Sequence, residues 1–344
     1  MRASGDPKVV PPTDRENSPR NSPEGENNEA AKNQKDGQRH ILRRVGIVLA
    51  GLLAVIIFTV CYLALHIEGD AVGSVSKMTT SRDGTTIVYE QTGTGPVVVL
   101  VSAALADRGG TRRLADRLAK DFTVVNYDRR GRGKSTDTQP YAVEREVEDI
   151  EALIDATGGS AFLFGSSSGA VLALEAASKL DGKVKKLFMY EPPFIVDNSR
   201  PPMPDDLGKQ TTKLVSAGRS GEAVKLFFTK GMGIPNFAVT LMRLMPGWSK
   251  MVGMAHTLPY DLAILAGTQT GKPLVPGPWA SMTVPTLVMV GSRSEAFFHG
   301  GAKAFVSLCP YAQYRSLDGG NHGSVLLAPA SIAAPAKDFF LGGN

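Results

Sequence analysis

Gly165-Ser166-Ser167-Ser168-Gly169 sets a serine among small residues, with a glycine two positions away on each side. The strand-like run Ala161–Phe164 stands directly before it, and the small-residue helical run Gly169–Lys179 begins at its last glycine. A strand, a sharp turn and a helix of this kind hold the central residue in a strained conformation and present its hydroxyl at the sheet edge. A side chain at Gly165 or Gly169 would crowd the turn. The amide of Ser168 opens the helix and points where an oxyanion would form. The chemistry is attack by Ser167 on an acyl carbonyl, and a hydroxyl doing that work needs a general base. The chain has five histidines. His40 and His66 flank a long apolar run, and His256 and His299 stand in a helical interruption and a loop. His322 lies in Asp318-Gly-Gly-Asn-His322-Gly, between the last expected strand and the last expected helix, and is the best-placed base.

The elements that must position these residues follow an alternating rhythm. Thr85–Tyr89, after the turn signal Arg82-Asp83-Gly84, reads as a strand in a hairpin. Val97–Val101 is a continuous β-branched run, the mark of a strand buried on both faces. A helix over 110–120, a strand over Phe122–Tyr127, an amphipathic helix over Val143–Ala156 and a strand over Val184–Tyr190 continue the pattern. Residues 192–284 break it: this stretch is Pro-punctuated, largely helical, and holds seven of the eleven methionines. Strand Thr286–Val290, a helix near 301–308, a strand over Ala312–Leu317 and a helix near 330–340 then resume it. Strands alternating with helices predict an α/β fold with a doubly wound, mostly parallel sheet. The interruption should sit over the carboxyl ends of the strands, where such sheets bind ligands.

The order of elements, the serine turn, and Tyr127-Asp128-Arg129-Arg130-Gly131-Arg132-Gly133-Lys134-Ser135 after a strand together resemble the α/β-hydrolase superfamily, over about Lys77 to Phe340. The resemblance implies a D-x-R-G-x-G-x-S turn after the fourth strand, the nucleophile after the fifth, a helical lid after the sixth and the base after the last. The Arg/Gly turn lacks the G-x-x-x-x-G-K-[ST] spacing of a phosphate cradle and is expected to be structural. Two departures stand out. The family often has His-Gly after its third strand; here the residues are Ser102-Ala103-Ala104, so the second oxyanion amide is expected from Ala104, or else Ala103. The family's acid is an Asp soon after the seventh strand, and Ser294 stands there instead. Glu191, at the end of the sixth strand, Glu295, one residue past the expected place, and Asp318, close to His322, are the carboxylates left to stabilise an imidazolium. The segment over the serine is rich in Phe227, Phe228, Met232, Phe237, Met242, Met245, Trp248, Met251 and Met254. Most should bury their own helices, while a few line an apolar cavity. His256 and Tyr260 are the polar candidates there.

The N-terminal portion has other compositions. Residues 1–42 are poor in apolar residues and read as a disordered tail. Val45–Leu65 is 21 residues without a charge. As a helix rising about 1.5 Å per residue it would match a bilayer core of roughly 30 Å, so 43–66 reads as a transmembrane helix. A cleaved secretory signal would have a shorter apolar region behind a shorter leader. Arg39, Arg43 and Arg44 precede the run while Glu68 and Asp70 follow it, which keeps the N-terminus cytoplasmic and places residues 67–344 on the outer side. Cys61 and Cys309 cannot pair within one chain. The net charge of +5 is spread without a basic stripe, so nucleic acid is a poor partner. The expected whole is a single-pass membrane protein with a hydrolase domain over 72–344, carrying a lid over about 194–283. The expected activity is cleavage of a small apolar ester or related acyl compound by Ser167, His322 and a carboxylate, with no metal or organic cofactor required. The alternative is a binding or sensing module on a hydrolase scaffold whose chemistry is degraded, for which the serine at 294 argues.

Overall fold

The computed structural model describes residues 75–342, apart from Asp181 and Pro246. The expected tail and transmembrane helix lie outside these residues. Among the described residues no helix is long and apolar enough to cross a membrane.

Eight strands form one sheet: β1 (Val75–Thr80), β2 (Thr86–Thr92), β3 (Val97–Val101), β4 (Thr123–Tyr127), β5 (Ala161–Ser166), β6 (Val184–Tyr190), β7 (Thr286–Gly291) and β8 (Ala312–Leu317). Their order is β1-β2-β4-β3-β5-β6-β7-β8. β2 pairs antiparallel with both β1 and β4, and every pairing from β4 through β8 is parallel. The runs VVVLV of β3 and TLVMVG of β7 are buried almost throughout, as strands covered on both faces must be. Helices α1 (Arg112–Leu118) and α11 (Pro329–Leu341) cover one face, where Leu114, Leu118, Phe122, Ile332 and Phe340 pack together. Helices α2 (Val143–Ala156), α3 (Ser168–Lys179) and α9 (Ala296–Leu308) cover the other. A one-turn helix, α10 (Ser324–Leu327), leads into α11.

Between β6 and β7 the chain leaves the sheet and forms helices α4 (Leu207–Ser216), α5 (Ser220–Leu226), α6 (Asn236–Met242), α7 (Trp248–Gly253) and α8 (Leu258–Ile264). The interruption expected over 192–284 is this helical insertion. It has its own apolar core, in which Phe227, Phe228, Val239, Met242, Trp248, Met251 and Met254 pack with Leu105 from the loop after β3.

The Arg/Gly turn after β4 ties the insertion to the sheet. Arg129 makes a bidentate pair with Glu146 of α2, both bonds 2.7 Å, and reaches Asp261 of α8 at 2.8 Å. Arg132 meets the other oxygen of Asp261 at 2.6 Å and donates to the Ala103 carbonyl at 2.7 Å. Arg129, Arg132, Glu146 and Asp261 are all buried. Two cations and two anions with most of their polar atoms bonded form a neutral cluster, which is how ionised groups tolerate an interior. The turn is structural, as the sequence suggests. Asp128 closes it by accepting from the Arg108 and Lys134 amides at 3.0 and 2.8 Å. A Cβ at Gly133 would lie 2.2 Å from the Asp128 carboxylate, so only glycine fits.

Burial alone would raise the Asp261 carboxyl, but Arg132 and Arg129 outweigh it and hold it below the ordinary carboxylate range. A depressed folded-state value contributes stability that is present above the unfolded value of about 3.9 and is lost as pH falls through the folded one. Asp261→Asn leaves two buried guanidinium groups short of an anion, and should cost about 3–5 kcal/mol. Urea denaturation at neutral pH should show that loss, and the gap between parent and variant should narrow on acidification.

Candidate active site

Ser167 sits at φ 54°, ψ −127°, between β5 and α3. A non-glycine residue holds such a conformation only where its surroundings over-determine it. Its own amide donates to the Tyr190 carbonyl at 3.0 Å, and its carbonyl accepts from the Ala170 amide at 2.9 Å. The flanking glycines are required by space. A Cβ at Gly165 would lie 2.4 Å from the Gly169 carbonyl oxygen, and one at Gly169 would lie 2.5 Å from the carbonyl oxygens of Val101 and Ser102. The side chain of Ser168 donates to Asp261 at 2.8 Å, which binds the turn to the buried cluster.

His322 stands in the loop between β8 and α10. The Tyr190 hydroxyl donates to the Asn321 carbonyl at 2.7 Å, and the Asn321 side chain accepts from the Gly323 amide at 2.9 Å. These bonds fix the loop on both sides of the histidine. The imidazole stacks on Phe298 of α9, with ring centroids 4.8 Å apart. Its Nδ1 lies 2.7 Å from Glu191 Oε2. A carboxylate partner assigns the proton to Nδ1 and leaves Nε2 as an acceptor.

Among the three carboxylates left open by the sequence, Glu191 is the one brought to His322. It is fully buried at the end of β6, with φ 49°. Its second oxygen accepts from the Gly291 amide at 2.8 Å and from the Ser294 hydroxyl. Ser294, where the resemblance would place an acid, is therefore a donor that steadies a carboxylate from the neighbouring strand. Glu295 turns away: its side chain is 68% exposed and pairs with Arg200 at 3.1 Å. Asp318 is exposed on its loop.

Ser167, Ser168, Ala103, Ala104 and His322 line one cavity of about 300 Å³. Leu105, at φ 55°, turns the chain just after Ala104. The rest of the lining is largely apolar and includes Phe227, Phe228, Met232 and Met251 from the insertion. Of the apolar residues marked in the sequence, these are the ones that reach the cavity. Met242, Trp248 and Met254 bury themselves in the insertion core, and Phe237 is exposed. The expectation for His256 and Tyr260 fails. His256 is exposed, while the Tyr260 hydroxyl bonds to Asp137 at 2.7 Å and its ring stacks on Tyr141 at 3.8 Å, away from the cavity. Sequence reasoning missed Asp261 and Phe298, and read Ser294 as a missing acid where it donates to Glu191. A lone Asp in the apolar run LPYDLAIL was the available signal for the first of these.

Comparison with known proteins gives the family and the fold. The alpha/beta hydrolase family matches residues 98–334. A solved alpha/beta hydrolase from Sphaerobacter thermophilus DSM 20745 is 46% identical, with a TM-score of 0.71 over 77% of this chain and 100% of that one. An esterase from Rhodococcus sp. ECU1013, 20% identical, shares the fold at a TM-score of 0.57 over 78% of this chain and 98% of that one. An uncharacterized hydrolase of Bacillus subtilis (strain 168) is 33% identical over 123 residues, which span 35% of this chain and 45% of that protein.

The close approach at Gly169 is testable. Gly169→Ala drives a methyl against two backbone oxygens and should cost about 1–3 kcal/mol. The end of β3 and helix α3 must separate to admit it. Thermal unfolding should show the lower midpoint.

Proposed function

This chain belongs to the alpha/beta hydrolase family, and on that premise we propose that it is a serine hydrolase cleaving an ester or related acyl bond of a small apolar substrate. The observation that carries the reading is the placement of Glu191, with one oxygen on His322 Nδ1 and the other held by Gly291 and Ser294. A carboxylate so fixed orients the imidazole and stabilises the imidazolium.

In the first half-reaction His322 Nε2 takes the proton as Ser167 Oγ bonds to the acyl carbon. The amides of Ser168 and Ala104 stabilise the oxyanion. As the intermediate collapses, the bond to the leaving alcohol breaks and His322 returns the proton to it. Water then attacks the acyl-enzyme, with His322 taking its proton and passing it to Ser167 as the acid departs. The helices between β6 and β7 act as a lid. Their phenylalanines and methionines exclude water and favour an apolar acyl or alcohol portion. The reading as a degraded binding module loses its main support, since the serine at 294 serves a displaced acid.

We place the domain at a membrane through Val45–Leu65, with the N-terminus cytoplasmic and the hydrolase on the outer face, on the strength of that uncharged run and the arginines before it.

Fluorophosphonate labelling of the full chain tests the chemistry. The parent should label, and Ser167→Ala and His322→Ala should abolish labelling. Glu191→Gln should lower ester turnover on the order of 10⁴-fold. Glu295→Gln should leave it within about twofold, as for an exposed pair. A folded parent that does not label would end the reading.

A further inference from the structure

The insertion carries a surface that the chemistry at Ser167 does not use. Helix α6 buries Ala238, Val239 and Met242 against the insertion core. It leaves Phe237 and Leu241 45% and 43% exposed, and Leu244, in the turn that continues it, 81% exposed. Steps of four and three residues put these side chains on one face. The charge near them is mostly basic: Arg243 stands near the exposed Glu222, which is paired with Arg219, and Lys250 meets Asp107 at 2.9 Å. From Ala223 through Tyr260 the chain holds Lys225, Lys230, Arg243 and Lys250, and not one Asp or Glu. Lys230 and Arg243 are exposed, and the Arg243 guanidinium lies 5.9 Å over the ring of Trp248. Soluble surfaces ordinarily mix both signs and scatter their large apolar groups. An apolar cluster beside an excess of cations, Lys225, Lys230 and Arg243 with Arg219 offsetting Glu222, fits an anionic lipid surface.

Two further features bear on what meets this face. Phe227, Phe228, Gly231 and Met232 line the cavity just before α6, and Gly247 and Met251 line it just after. The exposed face thus belongs to the same segment as the cavity wall. The uncharged run also ends at Leu65, ten residues before Val75. Ten residues span at most about 35 Å, so a domain held by that run stays near whatever surface the run occupies.

We propose that α6 and the turn after it dock on an anionic bilayer. Phe237, Leu241 and Leu244 enter the boundary between headgroups and acyl chains, Lys230 and Arg243 meet lipid phosphates, and an apolar ester passes from the bilayer into the cavity. Docking stands independently of the chemistry at Ser167; only the delivery clause rests on it.

The test uses the full chain with Cys61→Ser and Leu244→Cys, labelled at 244 with an environment-sensitive nitrobenzoxadiazole. Cys309 is buried and spared. The protein is reconstituted in phosphatidylcholine vesicles with or without phosphatidylglycerol, using lipids brominated in their acyl chains as quenchers. The expected result is a blue-shifted, quenched probe in the anionic vesicles, with docking at least about fivefold weaker in phosphatidylcholine alone. Lys230→Gln with Arg243→Gln should weaken docking on the order of tenfold. Phe237→Ser with Leu241→Ser should abolish it, while hydrolysis of a water-soluble ester in detergent is unchanged. A probe that stays water-exposed in both membranes overturns the proposal. Equal quenching in both overturns its anionic part. Shielding that grows with protein density and persists in detergent assigns the face to a second copy of the chain instead. Docking without labelling at Ser167 would sink the hydrolase reading alone.

Discussion

The carboxylate of Asp261 is the point on which the insertion, the serine turn and the loop after β3 all bear. It is buried, bonded through one oxygen to Arg129 and Ser168 and through the other to Arg132. Arg132 in turn holds the Ala103 carbonyl, and Arg129 donates to the Ser102 carbonyl at 3.3 Å. One side chain from the insertion therefore fixes the backbone on both sides of the proposed oxyanion site. The insertion cannot swing away at α8 without stripping two guanidinium groups of their partner, a cost that an apolar contact would not impose. Just before α8, Thr257 accepts from Arg132 at 3.1 Å and Lys250 of α7 pairs with Asp107 at 2.9 Å, so these ties to the sheet turn and the loop after β3 would have to break as well.

Backbone strain gathers in the same region. Leu105, Ser167 and Glu191 are the non-glycine residues with positive φ among the described residues. All three lie at the carboxyl ends of β3, β5 and β6, where neighbouring parallel strands release their chains into loops. Each is over-determined: Ser167 by bonds to Tyr190 and Ala170, Glu191 by its amide on the Met289 carbonyl at 3.0 Å, and Leu105 by packing in the insertion core. Strain of this kind is held only where the native packing outweighs it.

The inner strands were legible because they are buried on both faces and write continuous apolar runs; Val97–Val101 and Val184–Tyr190 appear with the expected bounds, as does the amphipathic helix Val143–Ala156. The positions of Ser167 and His322 followed from turn chemistry and strand order. The helix near 301–308 starts earlier, at Ala296, where Glu295 in extended backbone precedes it. The insertion was legible as helical but not in its arrangement. Its methionines and phenylalanines serve its own core and the cavity wall alike, and composition does not separate the two. Tyr260 failed as a cavity residue because a hydroxyl on a helix takes the nearest acceptor, here Asp137, whatever its sequence neighbours suggest. The lone Asp261 in its apolar run signalled a buried carboxylate, but its partners, 129 and 132 positions away, could not be read from it.

Placing the proposed acid on β6 has a geometric consequence. Ser166 pairs with Tyr190 across β5 and β6, and the Ser167 amide donates to the Tyr190 carbonyl. Glu191 is the next residue, and its amide donates to the Met289 carbonyl of β7, so the proposed nucleophile and the carboxylate on His322 hang on consecutive residues at the end of β6. An acid after β7 would depend on a loop for the same registry. Moving it to β6 relieves residues 292–295 of that duty: Ser294 needs only to donate one hydrogen bond, and Glu295 is left to meet Arg200 at the surface. The longer side chain of Glu compensates for the retreat of its backbone into the sheet, and the short Ser294 leaves room for it. The departure from the family pattern is thus a paired one, in which neither residue is intelligible without the other.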